Sequence, residues 1–191
     1  MSRLDKYACL QKLAACRRDE VVITTMSLAM PWARLSDGPL DFAAVDSAMG
    51  HAVGLGHGLA LARPRRRVLV LNGDGSTLMC LQSLVTLAQR PVPNLTLVIA
   101  ENGTYEVTGN QPVPGAGRTD YAALARAAGL SQVYTLEEAS AFDAHLLLHF
   151  AGEGPRVFVW RLARAAEPVP RQSLPIRQRA DRLRQAVIAA G

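Results

Sequence analysis

The sequence is poor in lysine and in aromatic residues. Only two of its 21 basic residues are lysines, so the net charge of +5 rests on arginine. Aromatic residues make up 5% of the chain, and they are not interleaved with the arginine clusters at 63–67 and 156–184. A nucleic-acid site combines basic charge with a recognisable motif, so we interpret these arginines as a solvated face and expect no nucleic-acid partner.

Cysteine is also scarce, and long apolar runs are absent. Cys9, Cys16 and Cys80 are odd in number and form no C-x-x-C pair, which argues against a disulfide framework, a zinc site or an iron–sulfur cluster. We expect Cys9 and Cys16, seven residues apart, to be small core residues. No apolar run could span a bilayer, and the charged residues in 1–20 do not suit a signal peptide. We therefore expect a cytoplasmic protein without membrane contact.

The residues that are present favour a single α/β domain. The chain has 191 residues and 49% hydrophobic content, which suits one domain over 1–191, with 163–191 as a C-terminal connection and helix. The pattern predicts strands at 21–25, 68–71, 95–100, 132–135 and 156–160, helices at 3–17, 49–62, 77–89, 120–128, 137–150 and 176–190, and connections at 26–41 and 104–118. The alternation predicts a doubly wound, mostly parallel sheet with helices on both faces.

The predicted helix at 49–62 is unusually rich in glycine. Each glycine costs a helix about 1 kcal/mol relative to alanine, so we expect another backbone to approach this helix closely and compensate. We interpret His51 and His57 as hydrogen-bonded structural residues, with an acid or base role for His51 as the alternative. The glycines are Gly50, Gly54, Gly56 and Gly58.

Two predicted apolar strands are each followed directly by a polar segment. Asp74 comes just after the strand at 68–71, and Asn102 comes just after the strand at 95–100. If these strands are neighbours, both side chains lie at one edge of the sheet, where carboxylate and amide oxygens suit Mg²⁺. Gly75 allows a phosphate to approach the start of the next helix, where backbone N–H groups are unpaired. The two polar segments together indicate a magnesium–diphosphate site.

The spacing between these two polar segments resembles a known motif. Gly73-Asp74-Gly75 is followed by 26 residues and then Asn102, which is similar to the GDG–spacer–N motif of thiamin-diphosphate (ThDP) enzymes. The stretches GDGSTLMCLQSLVTLA and NLTLVIAENGTYEVTGNQ resemble the diphosphate-binding domain of that superfamily, and the likeness runs over about 3–162. Within it, the chain looks most like the β subunits of sulfopyruvate decarboxylase and like phosphonopyruvate decarboxylase.

The resemblance implies roles for a metal set and a diphosphate set. Asp74 and the side chain of Asn102 would bind Mg²⁺, with the backbone carbonyl of Thr104 as the third protein ligand. Gly73, Gly75 and Ser76 would hold the diphosphate, and Asn102 and Thr104 would contact the cofactor through the metal. The segment 25–27, a poor match to the family, would touch the diphosphate from the first strand.

The resemblance also implies a site for the cofactor's rings. Ser47-Ala48-Met49-Gly50 matches the family's Gly-Ser-Met-Gly. Met49 would be the apolar wedge that bends ThDP into its reactive shape, which makes it the catalytic residue of this chain. The backbone carbonyl of Ser47 would accept a hydrogen bond from the aminopyrimidine.

One catalytic group of the family has no counterpart in this sequence. ThDP enzymes need a glutamate beside the pyrimidine, and in the family a separate domain supplies it. Glu20, Glu101 and Glu106 do not match that role, and we expect Glu101 and Glu106 to face solvent or the substrate entrance. The resemblance thus implies half an active site, completed in a hetero-oligomer by a pyrimidine-domain α subunit that carries the glutamate.

The implied substrate is a small anionic 2-oxo acid, similar to sulfopyruvate or phosphonopyruvate. Arg118 is the candidate contact for its anionic group, with an ordinary surface arginine as the alternative. The sequence departs from the family in four places: at Ser47 and Glu106, where a glycine is usual, at Glu101 in Ala100-Glu101-Asn102, and at His51, an unusual polar residue on its helix. Three other interpretations stay open: a non-catalytic ThDP-binding or interaction protein, the β subunit of a 2-oxo acid:ferredoxin oxidoreductase, and a flavodoxin-like nucleotide-binding domain.

Overall fold

The computed structural model describes residues 3–43, 49–165 and 175–189. Its main sheet has six parallel strands in the order β2-β1-β3-β4-β8-β7, and β5 and β6 form a separate antiparallel pair. The strands are β1 (Val21–Thr24), β2 (Asp41–Ala43), β3 (Val68–Gly73), β4 (Leu95–Glu101), β5 (Thr104–Tyr105), β6 (Gln111–Pro112), β7 (Gln132–Leu136) and β8 (Arg156–Arg161).

Helices cover both faces of this sheet. They are α1 (Lys6–Cys16), α2 (Ala29–Leu35), α3 (His51–Ala62), α4 (Asp74–Met79), α5 (Gln82–Gln89), α6 (Tyr121–Ala127), α7 (Ala139–His145) and α8 (Ile176–Ala189). Buried residues of α1, α2 and α7 form one core cluster, and those of α3, α5, α6 and α8 form a second one on the other face. The predicted doubly wound α/β fold is confirmed.

Burial on both faces explains the continuous apolar runs. In β3, Val68 and Val70 pack in one cluster, while Leu69 and Leu71 pack in the other. Each fully buried aliphatic side chain of this kind contributes about 1.5–3 kcal/mol relative to an exposed one. Successive strand residues therefore both stabilise the fold, as is typical of parallel sheets.

Three helical predictions need correction. The connection expected at 26–41 contains α2, because Pro31 lies in its first turn, where proline is tolerated, and Trp32 is fully buried. The single helix expected at 77–89 is two helices, α4 and α5, separated at Cys80. The helix expected at 137–150 is α7 followed by a 3-10 helix, Leu146–Phe150.

The glycines of α3 are not all explained by close packing. A Cβ on Gly56 would lie 2.3 Å from Cγ2 of Val70, so this glycine lets α3 lie close to β3. Gly54 and Gly58 are exposed, and a Cβ on either would meet nothing within 4 Å. The expected close approach is therefore correct at Gly56 and wrong at Gly54 and Gly58 within the residues that the structure describes.

The prediction that Cys9 and Cys16 are core residues is confirmed, and the prediction that the arginine clusters form a solvated face holds in part. Cys9 is buried and Cys16 is half-buried in the cluster under α1, and burial raises the pKa of Cys9 to about 12. The cluster at 63–67 is largely exposed, but Arg156 and Arg179 are buried, so the C-terminal arginines are not uniformly a solvated face. Within the described ranges, no helix has the length and apolar character needed to cross a membrane.

The topology creates a crevice between β1 and β3. The chain leaves the carboxyl end of β1 towards α2 on one face, and it leaves that of β3 towards α4 and α5, with α5 on the opposite face. Strands β1 and β3 are adjacent, with Thr24 paired to Leu71 near their ends. Ligands of doubly wound sheets bind at such a switch point.

Candidate functional site

A cavity of about 170 Å³ lies at this crevice. It is formed by the residues that follow β1, by the start of α4 and by the chain that follows β4. Its lining brings together most of the residues that the sequence singled out. The lining residues are Met26, Ser27, Met49, Gly73, Asp74, Gly75, Ser76, Met79, Thr104, Tyr105, Glu106, Val107 and Thr108.

Asp74 is the buried carboxylate at the centre of this lining. Its Oδ1 accepts the backbone N–H of Gly75 at 2.8 Å, and its Oδ2 accepts that of Gly103 at 2.7 Å. Burial raises the pKa of Asp74 above its ordinary value, the two backbone donors oppose the rise, and the nearby charge of Glu106 adds to it. Each oxygen keeps a lone pair for a further ligand, and a bound cation would favour the ionised form.

Asn102 lies beside Asp74 because β3 and β4 are neighbours. The two strands pair in parallel up to Gly73 and Ala100, as the sequence predicted. The side chain of Asn102 is buried, and its Oδ1 accepts the backbone N–H of Thr104 at 2.9 Å. Carboxylate, amide and carbonyl oxygens at this edge are a donor set that fits Mg²⁺. Among the described residues no three His, Cys, Asp or Glu side chains group as a metal site, so a metal here would depend on this mixed oxygen set.

The hydroxyl of Ser76 joins two parts of the site. It donates to Oδ1 of Asn72 at 2.7 Å and accepts the backbone N–H of Gly50 at 2.6 Å. Gly50, the residue before α3, has a φ of 83°, and a Cβ there would lie 2.2 Å from Cβ of Cys80, so a larger residue does not fit. The hydroxyl therefore fixes the start of α3, and Ser76 can offer a ligand its backbone N–H in the first turn of α4.

An aromatic ring lies directly against Gly75. A Cβ at this position would lie 2.3 Å from Cε1 of Tyr105, so the Tyr105 ring fills the space that a side chain would take. The glycine makes room for an aromatic ring that covers the start of α4. The expected approach of a phosphate to Gly75 stays a prediction.

Three methionines give the cavity an apolar wall. Met49 reaches it from the residue before Gly50, Met79 from the end of α4, and Met26 from the end of β1. Met26 has a φ of 51°, an uncommon conformation for a side-chain-bearing residue that often marks a functional site. Ser47, the predicted partner of the aminopyrimidine, lies outside the described residues.

Glu101 and Glu106 do not face solvent, so that part of the expectation is wrong, but Glu106 lines the cavity, and a place at the substrate entrance stays a prediction for it. Glu106 is 2% exposed, and its Oε2 lies 2.6 Å from Nζ of Lys6. Glu101 is buried with its Oε2 at 3.6 Å from Nε of Arg161; burial raises the pKa of Glu101, and the Arg161 charge opposes the rise. Basic side chains distant in sequence make the burial of both carboxylates tolerable.

Other candidates lie away from the cavity. His57 is buried and its Nε2 lies 2.7 Å from the carbonyl oxygen of Arg90, which confirms a structural role. His51 is exposed at the start of α3, and within the described part of the chain it has neither a hydrogen bond nor a place in the cavity lining. Arg118 is exposed and also outside the lining, as an ordinary surface arginine would be.

Sequence reasoning missed the groups that approach from the side of β1. The sequence around Met26 did not predict its positive φ, although the segment 25–27 was a candidate contact for the diphosphate. Lys6 was one of only two lysines, yet its partner is 100 residues away. The departure from the family at Glu106 was the one signal that could have led to this pair.

The site is a mostly apolar cavity with carboxylate and hydroxyl oxygens in its lining, and it lies at the switch point of a doubly wound sheet, where ligands of such sheets bind. The family model described as thiamine pyrophosphate enzyme, C-terminal TPP binding domain, matches residues 24–159. This chain therefore belongs to the thiamine pyrophosphate enzyme family and carries its C-terminal TPP-binding domain.

Known proteins of this family align with most of the chain. The sulfopyruvate decarboxylase subunit beta of Methanothermobacter thermautotrophicus is 34% identical over 152 residues, which cover 76% of this chain and 80% of that one. The phosphonopyruvate decarboxylase of Streptomyces viridochromogenes is 34% identical over 156 residues, but this chain spans only 38% of its length. The Rhodococcus jostii 4-hydroxybenzoylformate decarboxylase structure has the same fold, with a TM-score of 0.72, 23% identity and coverage of 86% of this chain and 34% of that one.

Proposed function

We propose that this chain is the ThDP- and magnesium-binding, β-type subunit of a 2-oxo acid decarboxylase. The observation that carries the proposal is the 2.7 Å hydrogen bond from Gly103 to Asp74, because it joins the turn after β3 to the loop of Asn102. That contact brings the two halves of the GDG–spacer–N motif to one point. The names of the relatives, sulfopyruvate decarboxylase subunit beta and phosphonopyruvate decarboxylase, support the reaction class.

The residues divide the work of holding the cofactor. Asp74, the Asn102 side chain and the Thr104 carbonyl would hold Mg²⁺, and Gly73, Gly75 and the backbone of Ser76 would receive the diphosphate. When bound, ThDP supplies the electron sink that loss of CO₂ from a 2-oxo acid requires. Met49 would orient the cofactor rings, and the methionine wall would exclude water from its side of the cavity.

A pyrimidine-domain partner is part of the proposal, because this chain offers only part of a site. The cavity of about 170 Å³ is smaller than the roughly 300–1,000 Å³ of typical small-molecule sites. The glutamate that lines it, Glu106, is already paired with Lys6. We therefore propose that an α subunit supplies the catalytic glutamate and closes the site.

The exposed face of α3 supports such a partner. Gly54 and Gly58 each cost the helix about 1 kcal/mol, and no contact within the described residues compensates. Leu55 and Leu61 on the same helix are 42% and 47% exposed. A partner packed closely against this face would account for these features. We expect Gly54→Leu to leave the fold intact and to weaken association with the partner, measured by analytical ultracentrifugation.

The proposed substrate is a small 2-oxo acid with a sulfonate or phosphonate group. Among the described residues that line the cavity, the charged ones are Asp74 and Glu106, and both are acidic. The cationic contact for such a substrate would then belong to the partner. The proposed setting is the cytoplasm, because Cys9, Cys16 and Cys80 are free thiols, as is usual in a reducing compartment.

Native mass spectrometry of the protein isolated from its own cells tests the proposal. We expect a second chain of similar size, together with a ThDP molecule and a magnesium ion for each pair of chains. A screen of 2-oxo acids, with CO₂ release as the signal, would then identify the substrate. A homo-oligomer that carries no ThDP would contradict the proposal and favour the non-catalytic interaction protein.

A further inference from the structure

The Lys6–Glu106 ion pair lies next to the cavity and has no part in the functions assigned above. The ammonium and carboxylate groups are 2.6 Å apart, and their side chains are 5% and 1% exposed. A second ion pair on α1, Lys12–Asp143, has a similar separation of 2.5 Å but side chains that are 42% and 49% exposed. Burial distinguishes the two pairs, because removing one partner of a buried pair leaves an uncompensated charge.

The position of Glu106 in the chain connects the ion pair to the loop that contains Thr104. Glu106 begins a 3-10 helix directly after Thr104 and Tyr105, so it ends the short segment that starts at Gly103. The Gly103 N–H is bonded to Asp74, and the Tyr105 ring rests on Gly75. The segment is therefore held to α4 by its first and third residues and to α1 by its last.

We propose that Lys6 is a positioning residue for the metal-binding loop. By fixing Glu106, it holds the segment 103–106 in place, and with it the Gly103 N–H on Asp74 and the Thr104 N–H on the Asn102 side chain. The inference rests on the proposed function, since it assigns the metal to these residues. It extends that function to α1, an element outside the GDG–spacer–N motif.

The test compares Lys6→Met with Lys12→Met, which removes the exposed lysine of the same helix. Purified protein, with any partner that copurifies, is titrated with Mg²⁺ at saturating ThDP and with ThDP at saturating Mg²⁺. For Lys6→Met we expect the required Mg²⁺ concentration to rise about tenfold or more, the usual cost of losing an outer-shell partner. We expect ThDP affinity at saturating Mg²⁺ to change much less, and Lys12→Met to alter neither.

Hydrogen exchange gives a readout that does not depend on the cofactor. The Val113 N–H donates to the Gly103 carbonyl oxygen at 3.0 Å, so Val113 reports on the same segment. In Lys6→Met, the amides of Gly103 and Val113 should exchange about tenfold faster or more, while amides in β3 and β4 keep their protection. Glu106→Gln, which keeps a hydrogen-bond acceptor for Lys6, should produce a smaller change in the same direction. This variant also serves if Lys6→Met does not fold.

The possible results separate the two proposals. Unchanged Mg²⁺ requirement and unchanged loop exchange in both variants would overturn the positioning role, even if the melting temperature falls. Loss of protection throughout the sheet would also overturn it, because the pair would then stabilise the whole fold. Failure of the unaltered protein to bind Mg²⁺ and ThDP would overturn the proposed function, while the exchange experiment would still decide whether Lys6 holds the loop.

Discussion

Asp74 and Glu101 are buried carboxylates at the carboxyl edge of β3 and β4, whereas His149, in the 3-10 helix after α7, is a buried imidazole. Nδ1 of His149 lies 3.0 Å from the carbonyl oxygen of His145, and its Nε2 accepts the ring N–H of Trp160 at 3.1 Å. Burial lowers the pKa of His149 to about 4, so the ring is neutral at physiological pH. Burial raises the pKa of Asp74 instead, and its two oxygens keep unused lone pairs.

The difference in hydrogen bonding distinguishes a purely structural residue from a binding site. Both nitrogens of His149 are engaged, and its ring stacks on Phe158 with centroids 3.8 Å apart. Nothing from outside is needed to complete that arrangement. At the cavity, the acceptors of Asp74 and Asn102 are held in place by backbone donors but are not saturated. An arrangement of this kind is suited to a cation.

The largest expected effect tests the cavity side of this comparison. Asp74→Ala removes the only carboxylate of the proposed metal set, so we expect Mg²⁺-dependent ThDP binding to be abolished. Isothermal titration calorimetry with ThDP and Mg²⁺ measures the loss. His149→Phe is the control, because it alters the other buried site and should bind the cofactor like the unaltered protein. Unchanged affinity in Asp74→Ala would refute the magnesium assignment.

The second prediction concerns the effect of the buried His149 imidazole on stability. The pKa of His149 is about 4 in the folded chain against an ordinary value of 6.5, so between these values the unfolded chain takes up a proton that the folded chain does not. Its contribution to stability is complete above pH 6.5 and is lost as the pH falls towards 4. We expect this group to lower the free energy of unfolding by about 3 kcal/mol over that range. In urea denaturation, His149→Phe should show a flatter pH profile, and an equally steep profile would assign the effect to other groups.

A smaller effect concerns the apolar wall of the cavity. If Met49 bends the cofactor, then Met49→Ala should lower turnover about tenfold or more while ThDP affinity falls far less, because the diphosphate contacts remain. The measurement is kcat beside the ThDP dissociation constant in the assembled enzyme. Met30→Ala, a methionine outside the cavity lining, is the comparison variant. Equal losses in turnover and affinity would contradict a wedge.

The smallest effect compares two glycines of α3. Gly56→Ala places a Cβ against Val70 and should destabilise the chain by about 1–3 kcal/mol. Gly54→Ala meets nothing and should stabilise it by about 0.5–1 kcal/mol through the higher helix propensity of alanine. Thermal unfolding of the two variants measures both shifts. A loss of stability in Gly54→Ala would mean that its surface is already covered in the isolated chain.

Local patterns predicted the centre of the site because they needed only neighbouring strands. Asp74 and Asn102 each follow a buried strand, and parallel strands end at one edge, so their proximity was readable from the sequence. The rest depends on contacts between distant segments. Lys6 and Glu106 are 100 residues apart, and without that pairing a buried glutamate is unexpected.

The same reasoning applies to the fold. The alternation of strands and helices predicted a parallel sheet, and the continuous apolar runs of β3 and β4 are typical of strands buried on both faces. Helix α2 was missed because Pro31, Asp37, Gly38 and Pro39 are residue types typical of a connection. Its Trp32 side chain is fully buried, which reflects tertiary packing more than local propensity.

The hydrogen bond between Trp160 and His149 also determines what the protein's intrinsic fluorescence can report. Trp32 and Trp160 are the two tryptophans of the chain, and both are buried in the same layer, under α1, α2 and α7. Neither lines the cavity. Tryptophan emission is therefore an optical signal for melting of that layer, and it should change with the protonation of His149. Tyr105, which lies on Gly75, is the chromophore positioned to sense a ligand at the start of α4.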